Sequence, residues 1–393
     1  MNPLLGLSRT LWPAHLKPLE DELLSSWLVR LSMAHGTKLH TFCSVVWPGK
    51  QIWNRDIDKS ADASIVQTLS DKTAVSRTAV ADTTLAAYEG ILYEYHNSYG
   101  NTLWIMPLGI YHRTHTQFGL QFCPRCLAED ETAYYRRHWR LAFITCCTTH
   151  SVVLFDRCQK CRAPVNFHRD EMGTRSKYTS SSIVRCYACK ADLREDIPKS
   201  SLSPSDPNVQ AFQIALAGTM AQGGIEIPGY GPLYSHLYFA VVHQLMRVLA
   251  MGNRSRTLRE AVNDSFNLNY DPMQSIKRVR YIEHLTVNSR AMLINMARCL
   301  LEEWPQRFIR ICTETKTWSS SLLKDCESAP FWFWSVIHDY LSRTSYSPSD
   351  QEILSAVAYL QKLGKPLSKK AISKCLGVND AFRKRKTKVR FDF

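Results

Sequence analysis

Eight side chains in four short pairs carry the strongest chemical signal in this sequence: CPRC (Cys123, Cys126), CTTH (Cys147, His150), CQKC (Cys158, Cys161) and CYAC (Cys186, Cys189). Two intervening residues let both members of a pair reach one ion, with sulfur at about 2.3 Å, and eight donors fill two tetrahedral sites with none left over. Two structural Zn2+ ions per chain are therefore expected. A catalytic zinc keeps one position for water, whereas each of these sites can be closed by four protein donors, so the metal is expected to hold the fold and perform no reaction. Two pairings satisfy the spacing. A sequential one joins the first pair to the second and the third to the fourth; an interleaved one joins the first to the third and the second to the fourth. CCTTH also offers two registers, and the regular spacing selects Cys147, leaving Cys146 as a packed neighbour. Two blander readings exist, small buried hydrophobes and a thioredoxin-like redox pair. Four pairs within about seventy residues, without a βαβ pattern around them, argue against both.

The chain that must position these ligands has 393 residues, enough for more than one compact unit. With 45% hydrophobic and 21% charged residues its composition is globular. The amino terminus lacks the cationic start and apolar stretch of a secretion signal, and the greasiest segment, LYFAVVHQLMRVLA, is too short to cross a bilayer roughly 30 Å thick. A cytoplasmic protein with no membrane partner is expected, and in a reducing compartment CxxC pairs favour metal thiolates over disulfides. The formal charge is +14; seven thiolates against two divalent ions lower it by three, to +11. Residues 116–200 carry fourteen basic and nine acidic side chains, and residues 362–393 carry eleven and two. Polyanions, DNA first, are the natural partners.

Around the ligands the apolar periodicity is helical. PLEDELLSSWLVRLSMAHG places Leu23, Leu24, Trp27, Leu28 and Leu31 on one face, with Gly36 as the stop. A short helix with Ile65, Val66 and Leu69 inward and another from Ser76 make either the halves of a helix-turn-helix or a plain helical hairpin. Residues 201–345 read as helical, with Phe331, Trp332, Phe333 and Trp334 as core or interface. Near the carboxyl terminus Ser349 and Glu352 form a capping box, Ile353, Leu354, Val357 and Leu360 share a face, and Gly364 ends the helix. A second helix follows the Ser368 cap with Ala371, Ile372 and Leu376 inward, turns at Gly377, and leads to a third entered at Asp380. That is a tri-helical helix-turn-helix, with Lys369, Lys370, Lys374, Arg383, Lys384, Arg385, Lys386 and Lys388 as nucleic-acid-binding residues; the plain alternative is a solvated basic tail. The expected fold is mainly α with small zinc-stabilised β/loop modules. Its expected domains are a helical one over 1–115, a tandem zinc-binding one over 116–200, a helical one over 201–345 and a helix-turn-helix with basic tail over 346–393.

The order FCPRC, YYRRHW, CTTH, CQKC and CYAC, together with PLEDELLSSWLVRLSMAHG and WNRDID upstream, resembles the TniQ/TnsD family of transposon target-selection proteins. Cys147 falls on the family pattern and Cys146 does not. The resemblance implies a non-catalytic adaptor that recognises an insertion site, directly or by docking on an RNA-guided CRISPR effector, and recruits the transposon's AAA+ ATPase. A homodimer is compatible with that role. The residues agree, with no GxxxxGK[ST] loop for ATP and no HExxH helix. The competing functions are a zinc-containing helix-turn-helix transcription regulator and a zinc-dependent nuclease or recombinase.

Overall fold

A computed structural model describes residues 7, 10–170, 183–195, 202–251, 254–270, 276, 281–326, 328–342, 348–378 and 380–382. The chain divides into two compact units, Met1–Leu341 and Ser342–Phe393.

In the larger unit helices predominate. Leu23, Leu24, Trp27, Leu28 and Leu31 are buried on α1 (Leu24–Ala34), which ends where Gly36 takes a left-handed φ of 60°. The acids before α1 do not cap it. Glu22 pairs with Arg30 at 2.6 Å and accepts from Ser26 Oγ, while Asp21 pairs with Arg137 at 3.1 Å. After α2 (Leu39–Val46) and α3 (Ile57–Ser60) come α4 (Ala63–Thr73), capped by Asp62, and α5 (Arg77–Ala81), capped by Ser76. Ile65 and Leu69 are buried there and Val66 half-buried.

A metal-ligand region of short elements follows. It contains the hairpin β1 (Ile110–Tyr111) with β2 (Thr114–His115), α6 (Pro124–Glu129), and the hairpin β3 (Cys146–Cys147) with β4 (Val152–Val153). Beyond it, α7 (Pro207–Gln222) and α8 (Ser235–Met251) flank the hairpin β5 (Gly224–Ile227) with β6 (Gly231–Tyr234), and α9 (Ser255–Ser265) follows. The helical reading of 201–345 missed that hairpin; Gly223, Gly229 and Gly231, all at positive φ, interrupt the helix and form its turn. Within the helical stretch α10 (Val287–Leu301) and α11 (Gln306–Glu314) follow, parted before Pro305. Last come α12 (Ser319–Leu322) and α13 (Phe331–Leu341), on which Trp332 and Phe333 are core while Phe331 and Trp334 are exposed. Among the described residues no helix is long and apolar enough to cross a membrane.

One hydrophobic core runs from Leu7 to Leu341, across sequence positions 115 and 200. Buried polar groups join its parts. Arg140, fully buried, donates to Asp56 (2.7 Å), Asp58 (3.2 Å) and the Met106 carbonyl (2.8 Å). Arg290, on α10, donates to the Ala142 carbonyl at 2.5 Å and to Gln121 Oε1 at 2.9 Å; burial lowers its pKa to about 10. Glu283 accepts from the Trp104 backbone N–H (2.9 Å) and from His243 Nε2 (2.8 Å). A buried polar group so satisfied fixes its neighbours, because moving away strands it without water.

The smaller unit has α14 (Asp350–Lys362) and α15 (Lys369–Cys375). The capping box of Ser349 and Glu352 is formed, Gly364 turns the chain at a φ of 63°, and Ser368 caps α15. Ile353, Ala356, Leu360, Ile372, Ala381 and Phe382 make its core. Leu354, expected on the buried face, is 57% exposed; one residue on from Ile353, it is turned about 100° away. The predicted third helix lies outside the described residues.

Three imidazoles, His40 on α2, His115 on β2 and His168, meet beside Trp53, with His115 and His168 centroids 5.0 Å apart and His168 stacked on Trp53 at 4.6 Å. Burial lowers the pKa of His40 and His115 to about 4 and holds that of His168 well below the ordinary histidine range; Arg113 and Arg169 add to the lowering at His40. Near His115, Asp56 opposes the shift and Arg140 reinforces it. The unfolded chain binds protons near pH 6.5 and the folded chain near 4, so stability from this cluster is complete above 6.5 and declines as pH falls towards 4. Replacing His115 by Asn should flatten the pH dependence of urea unfolding between pH 7.5 and 5 relative to the parent, by about 2 kcal/mol. Parallel profiles for the two proteins would contradict this.

Candidate metal centres

Each cysteine pair is presented by a short backbone turn. Cys123 stands at the N-cap of α6 with Pro124 as the first helical residue, and Cys126 follows one turn on, so the helix start sets the spacing of the first pair. The other three pairs sit on one repeated device. The N–H four residues after the first ligand bonds back to its carbonyl: Ser151 to Cys147, Arg162 to Cys158 and Lys190 to Cys186, each at 2.9 Å. Those three residues have φ of 52°, 62° and 62°, the left-handed turn that folds both ligands towards one point. One residue further on the chain pairs back, Cys147 opposite Val152, Cys158 N–H to Ala163 O and Cys186 N–H to Ala191 O.

The ligand atoms converge in two sets, Cys123, Cys126, Cys147 and His150, and Cys158, Cys161, Cys186 and Cys189, with all donors of a set within 4.8 Å of one another. The grouping is the sequential one. In the first set Cys126 Sγ and Cys147 Sγ are 3.6 Å apart, and His150 Nδ1 lies 3.5, 3.3 and 3.4 Å from Cys123, Cys126 and Cys147. In the second, Cys158–Cys189 and Cys161–Cys186 are 3.6 and 3.5 Å apart. A tetrahedral ion at ordinary zinc distances requires edges of about 3.8 Å between sulfurs and about 3.6 Å between sulfur and nitrogen. Both sets fit.

His150 turns Nδ1 to the sulfurs and Nε2 to Glu129 Oε2 at 2.8 Å. A carboxylate on the far nitrogen fixes the ring and its tautomer, the usual support of a metal-ligating histidine. Sequence reasoning missed Glu129, although its place three residues after Cys126 on α6 was a usable signal. Cys146 lies outside both sets, on the opposite strand face from Cys147, where Gln213 Nε2 donates to its sulfur at 3.1 Å and to its carbonyl. The buried Cys43 and Cys299 behave as small hydrophobes, with burial pushing their thiols up to about 12 and about 11. Four protein donors per set leave a bound ion no position for substrate.

Of the residues expected at nucleic acid, Lys369, Lys370 and Lys374 are exposed on α15. Lys369 Nζ lies 5.7 Å from the Phe382 ring centroid. Arg383, Lys384, Arg385, Lys386 and Lys388 lie outside the described residues.

Residues 13–154 match the family model described as TniQ. The span takes in the helical segment from before α1 and the whole first ligand set, and stops short of the second. No curated protein matches the chain.

Metal content discriminates the two adjacent thiols. Cys147→Ala should bind one metal fewer per chain than the parent, and Cys146→Ala should retain the full content. The reverse pattern by atomic emission would refute the assignment.

Proposed function

We propose, from the premise that residues 13–154 make this chain a member of the TniQ family, that it acts as a non-catalytic target-selection adaptor in DNA transposition. The observation that carries this reading is the coincidence of the TniQ match with a closed ligand set on a helical scaffold. The chemistry of the donors supports structural Zn2+ at both sets: seven thiolates and one imidazole suit a borderline-soft ion with no geometric demand of its own. When bound, the ions supply cross-linking only. The protein's residues then do the recognition, with Cys123 to His150 held against the helical core through Asp21 and Arg137, and the second set flanked by the exposed Lys160, Arg162 and Lys190.

In this reading the adaptor meets DNA through the zinc region and the carboxyl-terminal unit, or docks on an RNA-guided effector already at the site, and passes the location to the transposon's AAA+ ATPase. Contact of Lys369, Lys370, Lys374 and the basic residues 383–388 with phosphates would make affinity fall steeply with salt. A zinc-containing transcription regulator would use the same carboxyl-terminal unit, but it offers no reason for the TniQ match. Cytoplasmic, nucleoid-associated action fits the charge.

Two experiments test the proposal. Purified chain should retain the AAA+ ATPase of its transposon on an affinity column in the presence of ATP, and failure to do so would remove the recruiting role. Replacing Lys369, Lys370, Lys374, Arg383, Lys384, Arg385, Lys386 and Lys388 by Gln should lower duplex affinity at least about tenfold at 0.1 M salt and make the salt dependence shallower. Unchanged affinity and slope would take the carboxyl terminus out of DNA contact.

A further inference from the structure

A surface far in sequence from the carboxyl-terminal lysines combines exposed aromatic rings with arginines that have no carboxylate partner among the described residues. The β1–β2 hairpin closes through two residues, His112 and Arg113, both at positive φ (45° and 62°). A turn of this form ordinarily takes Asn-Gly, because a side chain in the left-handed region costs about 1 kcal/mol or more. Here two large cationic or titratable residues occupy it. The segment behind clamps them in place: His168 Nε2 donates to the Arg113 carbonyl at 3.0 Å, and Arg169 Nη1 donates to the His112 carbonyl at 3.1 Å and to Thr114 Oγ1 at 2.5 Å.

The turn is continuous with a wider patch. Arg113 Nε donates to Asn54 Oδ1 at 3.1 Å, and the neighbouring Arg55 lies 5.8 Å from the centroid of Tyr99. Tyr99 is 78% exposed and Tyr111, beside the turn, 68%. Arg55, Arg113 and Arg169 form no salt bridge among the described residues. The nearby carboxylates are engaged elsewhere, Asp56 with Arg140, Asp62 with Lys50 and Asp170 with Arg185 and Lys190.

We propose that Tyr99, Tyr111, Arg55, Arg113 and Arg169 form a binding surface for a single-stranded polynucleotide. Fixed guanidiniums attract phosphates of any nucleic acid. Open tyrosine faces select further, since an unstacked base can lie on them and a base within a duplex cannot. The turn sets Arg113 beside Tyr111, and the Arg113–Asn54 hydrogen bond ties it to the segment that carries Arg55, next to Tyr99. A strand displaced in target DNA and a guide or transcript RNA offer this same chemistry. The surface uses none of the carboxyl-terminal lysines of the proposed function, so either can fail alone.

Fluorescence anisotropy of the metal-loaded full chain with oligo-dT and oligo-U of about 20 nucleotides, and with a duplex of equal length, tests this. Tyr99→Ala combined with Tyr111→Ala should weaken single-strand binding about tenfold or more and duplex binding less than about twofold. Arg55→Gln combined with Arg113→Asn, which tolerates the left-handed turn, should weaken single-strand binding and lower its salt dependence. Loss confined to oligo-dT assigns the strand as DNA, and loss confined to oligo-U as RNA. Absence of single-strand binding in the parent, unchanged binding in both variants, or equal loss on the duplex would overturn the proposal. Equal loss would leave a general basic patch, and the first two would leave a surface for protein.

Discussion

Four donors converging on a single point constrain a chain more than any contact its short elements can make for themselves. The segments around the two ligand sets hold two-residue strands, tight turns and one six-residue helix. Such pieces nucleate poorly alone, and a hairpin of two residues per strand has too few ladder bonds to persist in water. A tetrahedral ion bound at each set would remove that difficulty by linking two distant turns in one step, 21 residues apart between Cys126 and Cys147 and 31 between Cys158 and Cys189. The closed donor set has a functional corollary: a site that orders loops this way presents surfaces rather than reactive atoms.

The metal-ligand region is not an independent bead on the chain. Asp21, just ahead of α1, receives the Arg137 side chain and the His138 backbone N–H; Arg140 is locked onto Asp56 and Asp58; and Arg290 reaches from α10 to the Ala142 carbonyl. Each is a buried or half-buried charge whose partners come from a different part of the sequence. Removing one partner strands the other, so these ties fix relative position more sharply than apolar packing can. The local turns therefore set the shape of each centre, and the buried arginines set where it sits on the helical scaffold.

Legibility followed the range of the interaction that decides each feature. The four ligand pairs, the α1 face and the Ser349–Glu352 cap depend on spacings of two to four residues, and all are visible in the letters. Pairing of the cysteine pairs was open to two solutions because it depends on which turns meet in space. Leu354 was misplaced because a four-residue apolar run reads the same whether three or four of its members face inward. The β5–β6 hairpin was hidden inside a helical reading, although IPGYGP carries turn residues. Glu129 and the His112–Arg113 turn were missed for a different reason. One acts only through the ring of His150, and the other adopts a conformation its residue types disfavour, held by carbonyl contacts from residues more than fifty positions away.

X-ray absorption at the zinc edge of the purified chain tests the central claim most directly, because it reads the ions' donors without reference to folding or activity. Two closed sets holding three thiolates with one imidazole and four thiolates predict, averaged per ion, a first shell of sulfur at about 2.3 Å with a half-share of nitrogen and no oxygen. An oxygen donor in the first shell, or a sulfur count near two per zinc, would mean an open or differently built centre and would contradict the account.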